Sequence, residues 1–209
     1  MTRRFSLVAV AAVAALTLSG TAAAQNAART STAPPATSTK WVVDPVHSQV
    51  EFGIRHLMGR VRGSFSRWYG IITTTDRDWS HGTVKVQVQT ASINTGNGYR
   101  DTDLRSPRFL SSDSFPAMTF ESTGIIATDS TVEIGGVLTL RGHSHPVVLK
   151  GRFNGIGRDR EGHERIGFDA ATVVDRRDYG ITWNEVVEGS RVIGDDVEIN
   201  ISLEAVRAS

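Results

Sequence analysis

From Lys40 to the C-terminus, apolar and polar residues alternate with period two, and few folds accept that pattern. Val50, Phe52 and Ile54 share one face of such a run while Gln49, Glu51 and Arg55 share the other. Val84, Val86 and Val88 alternate with Lys85, Gln87 and Gln89. Val132, Ile134, Leu138 and Leu140 alternate with Glu133, Thr139 and Arg141, although Val137 interrupts the polar side. The clearest run is Val197, Ile199, Ile201 and Leu203 against Glu198, Asn200, Ser202 and Glu204. Each run predicts a strand with one wet face and one apolar face, the signature of an antiparallel sheet. Weaker runs at 61–73, 117–126, 147–156 and 165–174 bring the expected total to about eight strands.

Two packed sheets and a closed barrel both satisfy this pattern. The even strand count and meander-like spacing favour an all-β, eight-stranded antiparallel up-and-down barrel. Gly53, Gly63, Gly70, Gly136, Gly151 and Gly167 fall inside the runs, where glycines are expected to mark the bends of a coiled sheet. The inward face would carry Phe52, Ile54, Phe65, Val86, Val88, Met118, Phe120, Leu138, Leu140, Phe168, Ile199 and Ile201. Ala170 is expected on the same face beside Phe168, where a tryptophan would tell an internal cavity from a packed core.

Residues 92–120 break the alternation. Arg100, Asp101, Asp103 and Arg105 place two charges of each sign in one short helical stretch, and the spacing predicts an Asp101–Arg105 pair. Ser106-Pro107 reads as an N-cap and first position of a second short turn, presenting Phe109 and Leu110 beside Leu104. The segment is expected to be a helical lid whose apolar residues cover one end of the barrel.

Met1-Thr2-Arg3-Arg4, an apolar run from Phe5 to Leu18, and Ala22-Ala23-Ala24 have the layout of a secretory signal peptide over residues 1–24. The apolar run is shorter than the roughly 20 residues that span a bilayer. Cleavage would place the protein in the periplasm or outside the cell, with no integral membrane segment. Residues 25–39, small and polar with Pro34-Pro35, read as a disordered linker, leaving 40–207 as the folded domain. The chain has no cysteine, so its stability rests on the core alone. Cleavage removes two arginines and no acid, leaving 21 basic against 22 acidic residues, a net charge of −1. A balance so near neutral, without a long basic block, excludes nucleic acid as a natural partner.

No G-x-S-x-G, G-x-G-x-x-G or P-loop is present. His143 and His145 share a strand face but lack an identifiable third metal ligand, so exposed turn histidines are the expectation and no metal or other cofactor is assigned. Asp101 and Asp103, flanked by arginines that hold them ionised, read as a charge cluster rather than a catalytic dyad. No residue is assigned a catalytic role. An enzyme using histidines at the barrel mouth stands as the alternative to a binding protein, and homodimerisation is left open.

Several segments, in order, resemble the YceI-like family. They are Asp44-Pro-Val-His-Ser with Phe52 and His56-Leu-Met, Val61-Arg-Gly-Ser-Phe, and Ser92-Ile-Asn-Thr with Arg100-Asp101 and Leu104-Arg105-Ser106. Phe115-Pro-Ala-Met-Thr-Phe, Gly136-Val-Leu-Thr-Leu-Arg-Gly and Arg177-Asp178-Tyr179-Gly180 complete the set. The resemblance runs from about Trp41 to Val206. It implies an exported lipocalin-like barrel with a non-enzymatic role, whose interior holds a long isoprenoid chain of quinone or quinone-precursor type. Some members look like binders of fatty acids or amides.

Overall fold

The computed structural model describes residues 37–75, 78–128, 130–187 and 189–208. The segments expected to be a signal peptide, residues 1–24, and most of a linker, residues 25–36, therefore lie outside the described residues. Thirteen strand segments are present among the described residues: β1 (Ser38–Val43), β2 (Gln49–His56), β3 (Gly59–Phe65), β4 (Trp68–Thr75), β5 (Asp78–Gln89), β6 (Ile93–Asn94), β7 (Ala117–Ala127), β8 (Thr131–Leu140), β9 (His143–Arg158), β10 (Glu164–Asp175), β11 (Val186–Val187), β12 (Ser190–Arg191) and β13 (Ile193–Arg207). One helix, α1 (Gly98–Arg105), sits between β6 and β7.

These segments compose eight staves. β1 and β2 run one after the other along the same edge of β13, with Val43 opposite Ala205 and Gln49 opposite Ser202. β3 and β4 likewise form one stave against β2 and β1, and β5 and β6 one stave against β4 and β3. β7, β8, β9 and β10 follow as antiparallel neighbours, and β13 returns beside β10. Pairing of β13 with both β1 and β2 closes the ring, so the chain is a closed eight-stranded antiparallel β-barrel wound as a meander. Closure removes the sheet edges that would otherwise template aggregation.

The alternation maps onto this wall as expected. Along β8, Val132, Gly136, Leu138 and Leu140 are buried while Thr131 and Glu133 are exposed, and Val137 pairs on the outer side with Pro146 of β9. Pro146 is tolerated because it falls where β9 has β8 beside it and no β10 partner, whose pairing begins at Lys150. Two residues assigned to the linker, Ser38 and Thr39, belong to β1. Ser38 pairs with Thr75, and Thr39 is buried opposite Thr74.

The wall glycines correct one expectation. Gly63 provides a parking place rather than a bend, a Cβ there lying 2.6 Å from the Phe52 ring, while Gly136 combines the two, a Cβ there lying 2.4 Å from the Phe120 ring beside a register shift in the β7–β8 pair. Each ring lies against its cross-strand glycine, Phe52 opposite Gly63 and Phe120 close to Gly136 across the β7–β8 pair. Gly151 serves close approach of two backbones, since a Cβ there would lie 1.8 Å from the Asp169 carbonyl oxygen. The expectation of a bend also fits Gly167, beside a register shift in the β9–β10 pair.

One end of the barrel is filled by aromatic rings. Trp79 has its ring centre 6.4 Å from Trp41, 5.3 Å from Phe153 and 5.1 Å edge-on from Phe168. At the opposite end the wall strands rise to α1 and the loops around it.

Candidate functional site

The lid segment begins at Asn97, whose side-chain oxygen accepts from the Arg100 N–H at 3.1 Å and caps α1. The helix is almost wholly polar, with Leu104 as its one aliphatic residue. The expected Asp101–Arg105 pair is absent. Asp101 is buried and accepts from the Thr95 N–H at 2.9 Å and the Thr95 hydroxyl at 2.6 Å. Arg105 donates to the Ala91 and Ile93 carbonyls, both at 2.8 Å. Arg100 reaches the Thr95 hydroxyl at 2.8 Å and the Thr95 carbonyl at 3.0 Å, and Asp103 pairs with Arg108. Groups of residues 91–95 outcompete a solvent-facing ion pair, because charge-assisted hydrogen bonds that are part-buried at Ile93 and Thr95 are worth more than an exposed salt bridge.

Residues 107–110 form the expected second short turn, with the Phe109 N–H bonded to the Ser106 carbonyl and the Leu110 N–H to the Leu104 carbonyl, both at 3.0 Å. Ser106 works as a local cap, its hydroxyl accepting from the Arg108 N–H at 3.4 Å. The turn drives Phe109 and Leu110 into the barrel, where both are buried. Arg141, in the β8–β9 turn, clamps this roof by donating to the Phe109 carbonyl at 2.7 Å and the Gly180 carbonyl at 3.2 Å. Phe109 meets Trp183 edge-on at 5.3 Å, and the Arg108 guanidinium stands 4.9 Å from the Trp183 ring centre.

Beneath this roof lies a cavity of about 320 Å³, at the small end of the range for ligand pockets. Of the sequence-predicted residues, Phe52, Ile54, Phe65, Leu104, Phe109, Leu110, Met118, Leu138, Leu140 and Ile199 line it. Arg100 and Asp103 reach its rim, while Asp101 and Arg105 do not. Val86, Phe168 and Ile201 are also inward, but they belong to the filled half. With Ala170 they line a separate void of only about 60 Å³. Val88 and Phe120 are buried core residues lining neither space.

Sequence reasoning missed one wall of the cavity. Val174, Arg176, Tyr179, Ile181, Trp183, Val192, Ile193 and Val197 contribute to it, largely from the non-alternating stretch 176–192. Arg176 is buried and donates to three carbonyls, those of Ile181 at 2.7 Å, Trp183 at 2.8 Å and Gly194 at 2.8 Å, with Asp195 at 3.3 Å. Burial pushes its guanidinium below the ordinary arginine value. Its role is to tie an irregular loop onto the barrel, since buried carbonyls without strand partners need a donor. Tyr179 is buried beside the His145 ring, and burial pushes its phenol up to about 12, so the hydroxyl stays protonated at any working pH.

The histidines do not converge. His143 and His145 stand at the start of β9 rather than in a turn, and His145 Nε2 is 2.9 Å from the Asp178 carbonyl oxygen. Asp159, Glu161 and His163 do cluster elsewhere. The Asp159 carboxylate already accepts from Arg165 at 3.0 Å, and that guanidinium opposes a cation.

A roofed antiparallel barrel with an apolar chamber is a shape with known counterparts. The model of the YceI-like domain matches residues 41–205. The chain belongs to the YceI-like family. It is 35% identical over 162 residues to a UPF0312 protein of Pseudomonas paraeruginosa, covering 77% of this chain and 82% of that one. Among solved structures, BcnA of Burkholderia cenocepacia superposes with a TM-score of 0.69 at 18% identity, over 78% of this chain and 98% of that one. A domain of Saccharophagus degradans described as polyisoprenoid-binding superposes with a TM-score of 0.63 at 15% identity, over 80% and 98%. At such identities these two likenesses concern the fold. No helix among the described residues is long and apolar enough to cross a membrane.

Proposed function

We propose that the protein is an exported, non-enzymatic carrier that holds the chain of a polyisoprenoid lipid, of quinone or quinone-precursor type, under its lid for transport, storage or sequestration in the periplasm. The observation that carries this reading is the apolar chamber beneath Leu104, Phe109 and Leu110, walled by Phe52, Ile54, Met118 and Leu138. Each CH₂ equivalent moved from water into such a chamber contributes about 0.8 kcal/mol before ordering costs, so an isoprenoid tail binds without any ionic contact. The polyisoprenoid-binding description of the Saccharophagus neighbour supports the same ligand class.

The chamber's polar residues favour holding over chemistry. Arg176 is occupied by backbone carbonyls, and Tyr179 is held neutral. His56, Arg100, Asp103 and Glu185 line the cavity while exposed or half-buried, which makes them its rim. In this reading the chain end enters between α1 and the β2–β3 turn, and the lipid's polar end stays among these rim residues. Extraction of the purified protein with organic solvent, followed by mass spectrometry, tests the reading. A stoichiometric isoprenoid lipid is the expected result. A lipid-free extract, with no uptake of prenyl quinone by the same protein, would overturn it.

A further inference from the structure

The residues that border the mouth on the outside are apolar where a water-facing rim has no need of it. Leu57 and Met58 form the tip between β2 and β3, and Met58 is wholly exposed. Leu57 holds φ at 50°, a conformation that favours glycine, so a large aliphatic side chain is displayed there against backbone preference. Val186 and Val187, on the β11–β12 hairpin, are exposed as well. The two tips are joined: the Leu57 N–H bonds the Val192 carbonyl at 2.8 Å, and the Val192 N–H bonds the Glu185 carbonyl at 2.9 Å. Val192, Ile193 and His56 also line the cavity, so the exposed patch continues directly into the apolar chamber. Across the opening, Tyr99 at the start of α1 is 93% exposed, a residue type that favours the bilayer interface.

Beyond Glu51, the β2–β3 stretch that carries the tip has no acidic residue, and Glu185, on the neighbouring hairpin, is the nearest exposed acid at the mouth. No acidic residue occurs between Glu51 and Asp76, and Arg55, Arg60 and Arg62 flank Leu57-Met58. Arg60 pairs with Glu198 and Arg55 donates to the Leu57 carbonyl. Arg55 and Arg62 have no carboxylate partner among the described residues. An exposed apolar tip flanked by Arg55 and Arg62, which no carboxylate neutralises among the described residues, and continuous with an apolar chamber, complements an anionic bilayer surface: aliphatic side chains enter the acyl boundary and guanidiniums meet phosphates.

We infer that the protein docks mouth-down on anionic lipid bilayers through Leu57, Met58, Val186, Val187 and Tyr99, and so exchanges its ligand without exposing the chain to water. The inference rests on the carrier reading and adds a surface to it. The test is flotation of the full-length exported protein with vesicles of phosphatidylethanolamine and phosphatidylglycerol. Uptake of a prenyl quinone from detergent solution is measured in parallel. Wild type should float with the vesicles, and replacing phosphatidylglycerol by phosphatidylcholine should weaken flotation several-fold. Met58→Asp should reduce flotation about tenfold while leaving uptake from detergent unchanged, because charge is excluded from the acyl boundary. Met58→Ser, the milder change at the same exposed position, should reduce it by less. Ile126→Asp, an exposed site at the opposite end of β7, should leave it unchanged. A wild type that stays soluble at every vesicle concentration while taking up quinone overturns the docking surface alone. So does a Met58→Asp variant that floats like wild type, or an Ile126→Asp variant that loses flotation equally. A wild type that takes up no quinone from detergent overturns the carrier reading instead.

Discussion

The two halves of the barrel are built from the same alternating strands yet contain opposite interiors. At the roofed end, Ile54, Met118, Leu138 and Ile199 border a chamber of about 320 Å³. At the other, Ile72, Val84, Ile125 and Leu149 surround about 60 Å³ of residual void. The difference comes from a few aromatic residues and not from the wall. Trp41, Trp79, Phe153 and Phe168 stack across the lower end. In the upper end Phe52 lies over Gly63, and between the two spaces Phe120 lies over Gly136, so rings that would fill the lumen are laid against the wall. Side-chain volume, placed by cross-strand register, thus divides one barrel into a plug that holds the fold together and a chamber that can receive a guest.

The largest effect should follow from attacking the plug. Phe168→Ala removes a buried ring in contact with Trp79 and Phe153, and it should cost about 3–5 kcal/mol of stability, read by denaturant unfolding of delipidated protein. Quinone uptake by the molecules that remain folded should be nearly unchanged.

Adding volume sharpens the contrast. Ala170 projects inward beside Phe168, as expected, and the structure places both in the filled half. Ala170→Trp should therefore overpack the plug and cost about 1–3 kcal/mol with little loss of uptake. Met118→Trp in the chamber should do the reverse, displacing ligand at smaller cost to the delipidated protein. Delipidated protein is needed because a ligand that binds the native state raises apparent stability.

A smaller effect is expected at the roof. Asp101→Ala removes the acceptor of two Thr95 donors in a half-buried turn and should cost about 1–3 kcal/mol. If α1 is a fixed roof, as its anchoring to Thr95, Ala91 and Ile93 indicates, hydrogen exchange should show Leu104 and Leu110 amides protected in wild type. Ready exchange at those amides would mark a lid that opens on its own.

The smallest effect concerns pH. Arg165 joins Asp44, Asp159 and Glu204, holding the Asp44 carboxyl well below its ordinary value, while Asp159 is lowered to about 2 with Arg165 and His163 as hydrogen-bond partners. Carboxylates with depressed values contribute stability that is fully present above their unfolded value near 3.8 and is lost as pH falls toward about 2. Thermal unfolding should be insensitive to this cluster from neutral pH down to about 4 and should weaken below it. Arg165→Met should flatten that acid limb. An unchanged acid limb in the variant would show that the cluster contributes nothing through Arg165.

What the sequence made legible was whatever repeats with period two. Val50, Val132, Leu138 and Phe168 could be placed on the inner face because strands with one wet side write their burial into the sequence. Which inward residues bound a space and which fill one was not legible. That depends on partners brought together by register, such as Phe120 against Gly136, or Trp79 against Phe153. The loop wall from Arg176 to Val192 was missed because it lacks periodicity, and its order derives from one buried guanidinium bonded to distant carbonyls. The one available signal was an arginine beside the aromatic, glycine-containing stretch Tyr179-Gly180-Ile181-Thr182-Trp183. The Asp101–Arg105 pairing failed for a related reason. Helical spacing identifies which charges can meet, but not the buried backbone groups that claim them first.

The division of the barrel is tested most directly by methyl-labelled nuclear magnetic resonance of delipidated protein loaded with a prenyl quinone. Intermolecular Overhauser contacts should appear from the quinone's chain methyls to Ile54, Met118, Leu138 and Ile199, and not to Ile72, Ile125 or Leu149. Contacts concentrated on the second set, or binding confined to the outer surface, would contradict the account.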